Sequence, residues 1–402
     1  MARTAASMTY SSPAASVLGL AEASARAERQ QQGKLNLVAH NGANLVGGAE
    51  LALIHLLRGL LDRGHQVSLA CNHDIVADAA VLHRVPALVM PLRGDAVFAD
   101  AFRFAQFLKR EAPDAFLLGT FKKIWLGGMA ARRARISRVV ARVGLASDTP
   151  RRWKYRYAVQ RWIDTVVLNA ESMRAGFLAD VPDYDPGRVV TIHTGIIRPR
   201  CSKPAGAVRT ELGIPASAQV IGAVARLSRQ KRLERLIQST QGLPDVHCII
   251  AGEGDQRAQL EALRGQLGLD ARVHLLGQRT DVGDVLAALD LFVVCSDQEG
   301  MANAMLEAMA AGVPVLSTPV SGAHEALQPL SDGRQPGRVL ASYAYNEMTG
   351  TVRDMLAKPP LLRLMAEAAQ QAARERFDFD RMVSEYEVIL SGGTLGRALE
   401  TP

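Results

Sequence analysis

The sequence is poor in cysteine, has no long apolar run, and lacks a charged opening followed by an apolar block. Its four cysteines, Cys71, Cys201, Cys248 and Cys295, are scattered without metal-ligand spacing, and the last two sit inside strand-like runs. That pattern excludes a structural zinc site and a disulfide framework. No stretch approaches the ~18–20 uninterrupted apolar residues that cross a bilayer. The opening, Met1–Gln32, does not follow the pattern of a secretory leader and reads as a mobile tail, with at most a weak helix around Ala14–Gln30. No nucleic-acid reading motif accompanies the positive charge, so nucleic acid is not an expected partner.

What is present fits a two-domain globular protein. The chain has 402 residues, 48% hydrophobic and 22% charged, more than one core comfortably serves. A formal charge of +7 and a pI near 9.4 call for an acidic partner such as a nucleotide or a phospholipid surface. From Leu35 the sequence repeats an apolar strand, a turn and an amphipathic helix, the rhythm of parallel α/β structure. Strands are expected at Leu35–Ala39, Gln66–Ala70, Ala87–Met90, Ala115–Leu118, Ser137–Val143, Thr165–Leu168 and Val189–Ile192. The rhythm restarts with Val220–Ala225, Val246–Ala251, Val273–Leu275, Leu291–Val294 and Val313–Ser317. Helices are expected at Ala49–Arg63, Ala96–Glu111, Tyr345–Ala357, Leu361–Arg376 and Asp380–Leu390. The division is a tail (1–33), a first Rossmann-like domain (34–195), a Pro-rich linker (196–216), a second Rossmann-like domain (217–376), and a terminal helix and tail (377–402).

Open parallel sheets bind ligands beyond the carboxyl ends of their strands, and three loops there are unusual. Asn41–Glu50 contains Gly47 and Gly48, which let backbone approach a ligand at a helix start, although the spaced third glycine of a dinucleotide fingerprint is missing. Ala225–Leu233 carries Arg226 and Lys231, two cations spaced to clamp a diphosphate. Ser296–Pro314 holds Glu299 in its loop and Glu307 on a helix whose neighbours are almost wholly apolar. A carboxylate in such a helix needs a partner, either a ligand or an internal arginine.

These segments resemble the retaining glycosyltransferases of family 4, also called group 1, which have the GT-B fold of two facing Rossmann-like domains. Glu299 and Glu307, with seven residues between them, followed by Ala-Met-Ala-Ala-Gly-Val-Pro-Val, are similar to that family's Glu-x7-Glu signature. Gly47-Gly48-Ala49-Glu50, Arg63-Gly64-His65-Gln66-Val67, Arg226-Leu227 with Lys231, Ala251-Gly252-Glu253-Gly254 and Asp290 match in the family's order. The resemblance implies a nucleotide-diphosphate sugar donor, such as a UDP- or GDP-sugar, and no other cofactor or metal. It implies that Arg226 and Lys231 hold the diphosphate, Glu307 the ribose, and Glu299 the transferred sugar as a positioning group. The base rests near Gly277, Gln278 and Arg279, and the amides of Gly300, Met301, Ala302 and Asn303 add to phosphate or sugar binding. It also implies retention at the anomeric carbon and a role in envelope polysaccharide or lipopolysaccharide assembly.

Two departures stand out. Where many relatives have a histidine after the fifth strand, this chain reads Val140-Ala-Arg-Val-Gly, so Arg142 is the nearest candidate to contact acceptor or sugar. The usual glycine after the clamp lysine is Arg232. Separately, Arg132–Arg161 holds ten Lys or Arg against one acid, Asp148, interleaved with Trp153, Tyr155, Tyr157 and Trp162. That mixture suits an anionic membrane surface, a lipid-linked or glycan acceptor, or a solvated helix. A cytoplasmic location is expected, at the inner face of the membrane if this stretch docks there. A sugar-nucleotide epimerase or hydrolase of the same fold, and a non-catalytic nucleotide- or glycan-binding subunit, remain as alternatives. His40, His193 and His324, near expected strand ends, are read as structural.

Overall fold

Aliphatic and β-branched runs bounded by turns form strands here because helices cover both faces of each sheet, so every side chain along the run is buried. The computed structural model describes residues 33–145 and 152–395, and the expected helix Ala14–Gln30 lies outside them. In the first half, β1 (Asn36–Asn41), β2 (Gln66–Cys71), β3 (Ala87–Val89), β4 (Ala115–Leu118), β5 (Val139–Val143), β6 (Thr165–Leu168) and β7 (Val189–Thr191) pair in parallel. Their order is β3-β2-β1-β4-β5-β6-β7. In the second half, β8 (Gln219–Val224), β9 (Val246–Ala251), β10 (Val273–Leu275), β11 (Leu291–Val294), β12 (Val315–Ser317) and β13 (Gly337–Val339) form another parallel sheet, ordered β10-β9-β8-β11-β12-β13.

Strand order reverses between β1 and β4 in one sheet and between β8 and β11 in the other. A crevice opens at each reversal because the flanking helices leave on opposite faces. The loops after β8 and β11 are the Arg226–Lys231 and Glu299 loops, and the loop after β1 carries Gly47 and Gly48. Topology alone therefore brings the three unusual loops to ligand-binding edges.

β13 has no counterpart among the expected strands. It is a three-residue edge strand with little apolar character, and a Cβ on Gly337 would collide with the carbonyl of Val315 on β12. The aperiodic segment joining the halves contains a short helix, Ala207–Glu211, whose Arg209 donates to Asp290 Oδ2 at 2.9 Å. Asp290 also accepts from the Val220 N–H at 2.7 Å, so it braces the starts of β8 and β11.

The last helix, Phe379–Leu390, returns to pack on Gly48–Asp62 of the first half, where Gly59 makes room for Val383 and Phe379. His65 fastens the return: Nδ1 accepts from the Leu35 N–H at 3.0 Å, so Nε2 carries the proton and donates to Glu387 at 2.9 Å. Part of the Arg63–Val67 match is thus architectural. Among the described residues no helix is long and apolar enough to cross a membrane.

Gly252 ends β9 with φ +145°, and a Cβ there would collide with the Ala225 carbonyl. Gly252→Ala should cost roughly 2–4 kcal/mol, through both the disfavoured φ and a backbone clash. Urea unfolding checks this, and a cost under about 1 kcal/mol would show that the β8 and β9 ends are not locked together.

Candidate active site

The loop after β8 is built by two glycine contacts. Gly252 and Gly254 lie against the carbonyls of Ala225 and Leu227, while the Leu227 N–H donates to the Glu253 carbonyl at 2.8 Å. Any side chain at either glycine would push the two loops apart. The far end of the loop is stitched to the loop after β11: Gln230 Nε2 donates to the Gln298 carbonyl at 2.7 Å, and the Asp297 N–H donates to the Gln230 carbonyl at 3.0 Å. Arg235 adds bonds to the Cys295 carbonyl at 2.9 Å and to Asp297 at 2.7 Å.

Arg232, where a glycine was expected, adopts φ +51°. That left-handed conformation costs a side-chain-bearing residue on the order of 1 kcal/mol. Its Nε lies 2.9 Å from a Glu234 oxygen and 3.6 Å from Asp297 in ion pairs, without a hydrogen bond to either. The departure thus keeps the turn and changes what holds it.

Lys231 pairs with Glu299 Oε1, and the Ser296 hydroxyl donates to the same oxygen at 2.8 Å. Glu299 is only 8% exposed, so the ammonium and the carboxylate are fixed beside one another at the strand edge. Arg226 is exposed, and its guanidinium has no hydrogen bond or ion pair among the described residues. The backbone N–H groups of Gly300, Met301, Ala302 and Asn303, just ahead of or opening the helix Asn303–Ala311, are likewise without partners among the described residues. Arg226, Lys231 and these four amides all lie on loops that leave the carboxyl edge of the second sheet at the β8/β11 reversal.

Glu307 lies one turn into that helix, beside buried Met305, Leu306, Ala308 and Met309. No described residue donates to its carboxylate, so the internal arginine weighed from sequence is not there. Burial without compensation pushes its pKa up to about 7.

Across the cleft, Asn303 Nδ2 donates to the Gly48 carbonyl at 2.6 Å, and the Gly47 N–H is taken by Glu50 Oε2 at 3.0 Å. The glycine pair therefore meets the donor loop directly, and part of its amide capacity is already used. Gly300 presses on the Gly144 carbonyl and the Asn169 side chain, at the ends of β5 and β6. A surface pocket of about 380 Å³ lies at the opposite strand edge, among Arg209, Gln219, Asp290 and Pro314.

Two sequence candidates are held away from free contact. The Arg279 guanidinium is bound by Asp281 at 2.8 Å and Glu211 at 2.6 Å, and these bonds raise its pKa further. Gly277, at φ +73°, and Gln278 present backbone there, with the Gly277 carbonyl accepting from the Gly252 N–H at 2.7 Å. Arg142 lies over the Tyr386 ring at 5.9 Å, on the returning helix, with its Nη1 buried and unpartnered among the described residues.

The basic stretch divides. Arg138 donates to the Ile389 carbonyl at 2.8 Å and Lys154 pairs with Asp95, while Arg132, Arg133, Arg135, Arg152, Arg156 and Arg161 are exposed. Trp162 packs on Trp125 with centroids 5.2 Å apart, but Trp153 is 75% and Tyr157 45% exposed. Arg151 and Asp148 lie outside the described residues.

Sequence reasoning missed Glu325, whose carboxylate reaches into the first half: it accepts from the Glu171 N–H at 2.8 Å, the Ser172 N–H at 2.7 Å and His193 Nε2 at 2.9 Å. No local pattern marks it, because its partners lie more than a hundred residues away. His193, set aside as structural, is one of them.

Comparison with known proteins matches residues 46–198 to the family model described as Glycosyltransferase Family 4 and residues 206–372 to that described as Glycosyl transferases group 1. The lipopolysaccharide core biosynthesis glycosyltransferase LpsE of Rhizobium meliloti is 27% identical over 288 residues, 69% of this chain and 77% of that protein. A D-inositol 3-phosphate glycosyltransferase of Mycolicibacterium gilvum is 29% identical over 226 residues, 54% of this chain and 50% of that protein. Among solved structures, Anabaena Alr3699/HepE, crystallised with UDP and glucose, superposes with a TM-score of 0.78 at 21% identity, covering 89% of this chain and 99% of its own. WaaG, a glycosyltransferase involved in lipopolysaccharide biosynthesis, superposes with a TM-score of 0.67 at 19% identity over 89% of this chain and 100% of its own. These likenesses establish the two-domain GT-B fold.

The Glu307 pKa sets a pH dependence. The unfolded carboxyl releases its proton near 4.5, whereas the folded one holds it to about 7. Stability should therefore fall as pH rises between those values, by up to about 3 kcal/mol from this group. Thermal midpoints across that window should be flatter for Glu307→Gln than for wild type, and parallel curves would remove the buried-carboxylate assignment.

Proposed function

Because this chain belongs to the group 1, family 4 glycosyltransferases, we propose that it moves a sugar from a UDP- or GDP-sugar to a glycan or lipid-linked acceptor, with retention of anomeric configuration and without a metal ion, in envelope polysaccharide or lipopolysaccharide assembly. One observation carries the donor assignment: the Glu307 carboxylate, largely enclosed by apolar neighbours and without a hydrogen-bond donor among the described residues, on the helix that the Gly300–Asn303 amides open. Ribose hydroxyls are the complement of such a carboxylate, and a diphosphate is the complement of two cations and a row of amides.

Arg226 is free to swing onto the diphosphate, while Lys231 shares its charge between Glu299 and an arriving phosphate oxygen. As the sugar–phosphate bond breaks, negative charge grows on the leaving oxygen, and these fixed groups stabilise it with little reorganisation. Glu299, held by Ser296, sits where it can accept from sugar hydroxyls and so position the ring. Retention follows the pattern of the family, with the leaving phosphate oxygen taking the acceptor proton on the side from which it departs. The base would lie against the Gly277–Gln278 backbone, because Arg279 is saturated by carboxylates.

The acceptor enters from the first half. The exposed Trp153 and Tyr157, with Phe98 and Phe102 on a neighbouring helix and the exposed arginines, support contact with an anionic membrane surface. The lipopolysaccharide assignment is supported by the relatives LpsE and WaaG, and the donor class by HepE with its UDP.

Thermal unfolding with UDP, GDP, ADP and their sugar conjugates tests the donor site. One nucleotide class at 100-fold over its Kd should stabilise wild type by about 2.7 kcal/mol and Glu307→Ala much less. No shift at millimolar ligand would sink the transferase reading. Lys231→Ala should lower kcat on the order of 10²-fold, and chelation should leave wild-type activity intact. For the acceptor side, phosphatidylglycerol vesicles should co-sediment wild type but not a Trp153→Ala/Tyr157→Ala variant; equal sedimentation would exclude this face as the lipid contact.

A further inference from the structure

Glu325 lies far from the β8/β11 crevice in sequence but is wired to it. Its short helix, Ala323–Ala326, follows β12 and is joined to the donor loop at two points. Thr318 Oγ1 donates to the Ser296 carbonyl at 2.8 Å, and Ser296 in turn holds Glu299. The Gly322 N–H donates to the Gly300 carbonyl at 2.7 Å, and a side chain at Gly322 would collide with that carbonyl and crowd Met301. Any displacement of the segment Thr318–Glu325 is therefore felt at Glu299 and at the amides that open the next helix.

The other end of this segment is gripped by the first half. The Glu171 and Ser172 N–H groups donate to the two Glu325 oxygens, His193 Nε2 donates to one of them, and Ser172 Oγ donates to the Ser321 carbonyl at 2.7 Å. Burial works to raise the Glu325 pKa, but His193 and the Ser172 and Glu171 bonds outweigh it and hold it at about 2, so the carboxylate is ionised at working pH. His193 stands where the chain passes between the halves. Its carbonyl accepts from Arg381 at 3.2 Å, its ring packs edge-on against Phe377 at 5.8 Å, and the Ile196 N–H donates to the Phe377 carbonyl at 2.8 Å.

We propose that Glu325 is a positioning residue that couples closure of the two domains to the shape of the donor loop. With the halves together, the amides after β6 and His193 pull Glu325, and Thr318 and Gly322 transmit that position to Ser296, Glu299 and Gly300. With the halves apart, the carboxylate loses all three donors and the donor loop loses its outer support. The inference rests on the transferase reading for its consequence, but the contact can be tested without it.

Backbone amide exchange on the full chain, without ligand, reads the contact directly. In Glu325→Gln one side-chain oxygen is replaced by a donor that faces an N–H group, so exchange at Glu171 and Ser172 should accelerate about tenfold or more, with β5 and β6 unchanged. UDP-glucose hydrolysis and UDP calorimetry read the consequence: kcat should fall about tenfold while the UDP Kd stays within about threefold, because the loss lies in alignment rather than in nucleotide contact. His193→Gln, which keeps a donor, should recover most of the wild-type rate. Unchanged exchange in Glu325→Gln overturns the contact, and changed exchange with an unchanged kcat overturns the coupling. An equal loss of kcat and UDP affinity overturns positioning in favour of a purely structural role. If Glu325→Gln does not fold, Ser172→Ala removes the hydroxyl's bond to Ser321 and its contribution to Glu325 while keeping the backbone donors, and the same shifts at smaller size are expected; none in either measurement overturns the proposal. Failure of wild type to bind any nucleoside diphosphate would instead fall on the transferase reading, leaving exchange to decide the contact.

Discussion

The two halves are joined by a pair of chain crossings that lie side by side, and this constraint governs the rest. Gly195 permits the close approach, since a Cβ there would come within 2.7 Å of the Asp378 carbonyl. The Ile196–Phe377 hydrogen bond then ties outgoing and returning chain together. Adjacent crossings leave mainly one freedom, rotation of one sheet domain against the other. The returning helix, clamped by His65, Arg63 and Glu387, makes the first domain a rigid platform for that rotation. The contacts across the cleft, from Asn303–Gly48 to Gly300–Gly144, lie along the seam that such a rotation would open.

Within the cleft, charge is arranged before any ligand arrives. Lys231 and Glu299 neutralise each other at the protein's expense of two desolvated side chains, an arrangement that is rarely worthwhile for stability alone. Arg226 remains open to solvent, and the Gly300–Asn303 amides point from a helix start that already favours negative charge. On the proposed donor assignment, a diphosphate meets one mobile cation, one anchored cation and a set of fixed dipoles. The backbone strain at Arg232 and the glycine contacts at Gly252 and Gly254 hold those groups in register.

Much of this was legible in the sequence, for identifiable reasons. Strands buried on both faces announce themselves as apolar runs, so β4, β6, β9, β10 and β11 fall on their expected residues, whereas β13 begins with a glycine chosen for a tight approach rather than for burial. Lys231 and Glu299 could be placed at one ligand edge because each sits in a loop after a strand at the switch point, but their ion pair was not foreseen. Arg142 and Arg279 could not be judged, since Tyr386 lies 244 positions beyond the first and Glu211 lies 68 positions before the second. Glu325 was invisible for the same reason: a single carboxylate on a four-residue helix has no local signature, and its meaning comes entirely from the opposite domain.

The elevated pKa of Glu307 would make the proposed donor capture a titration as well as a docking event. Near neutral pH the ligand-free protein holds both protonated and ionised forms of this carboxyl. On the proposed assignment, ribose hydroxyls that donate to it select the ionised form, so binding to a protonated molecule releases its proton into the buffer. Below pH 7 the apparent affinity for the nucleotide should weaken by about tenfold per unit. Binding heats should then vary with the ionisation enthalpy of the buffer, which makes the charge state of one side chain a property of the whole solution.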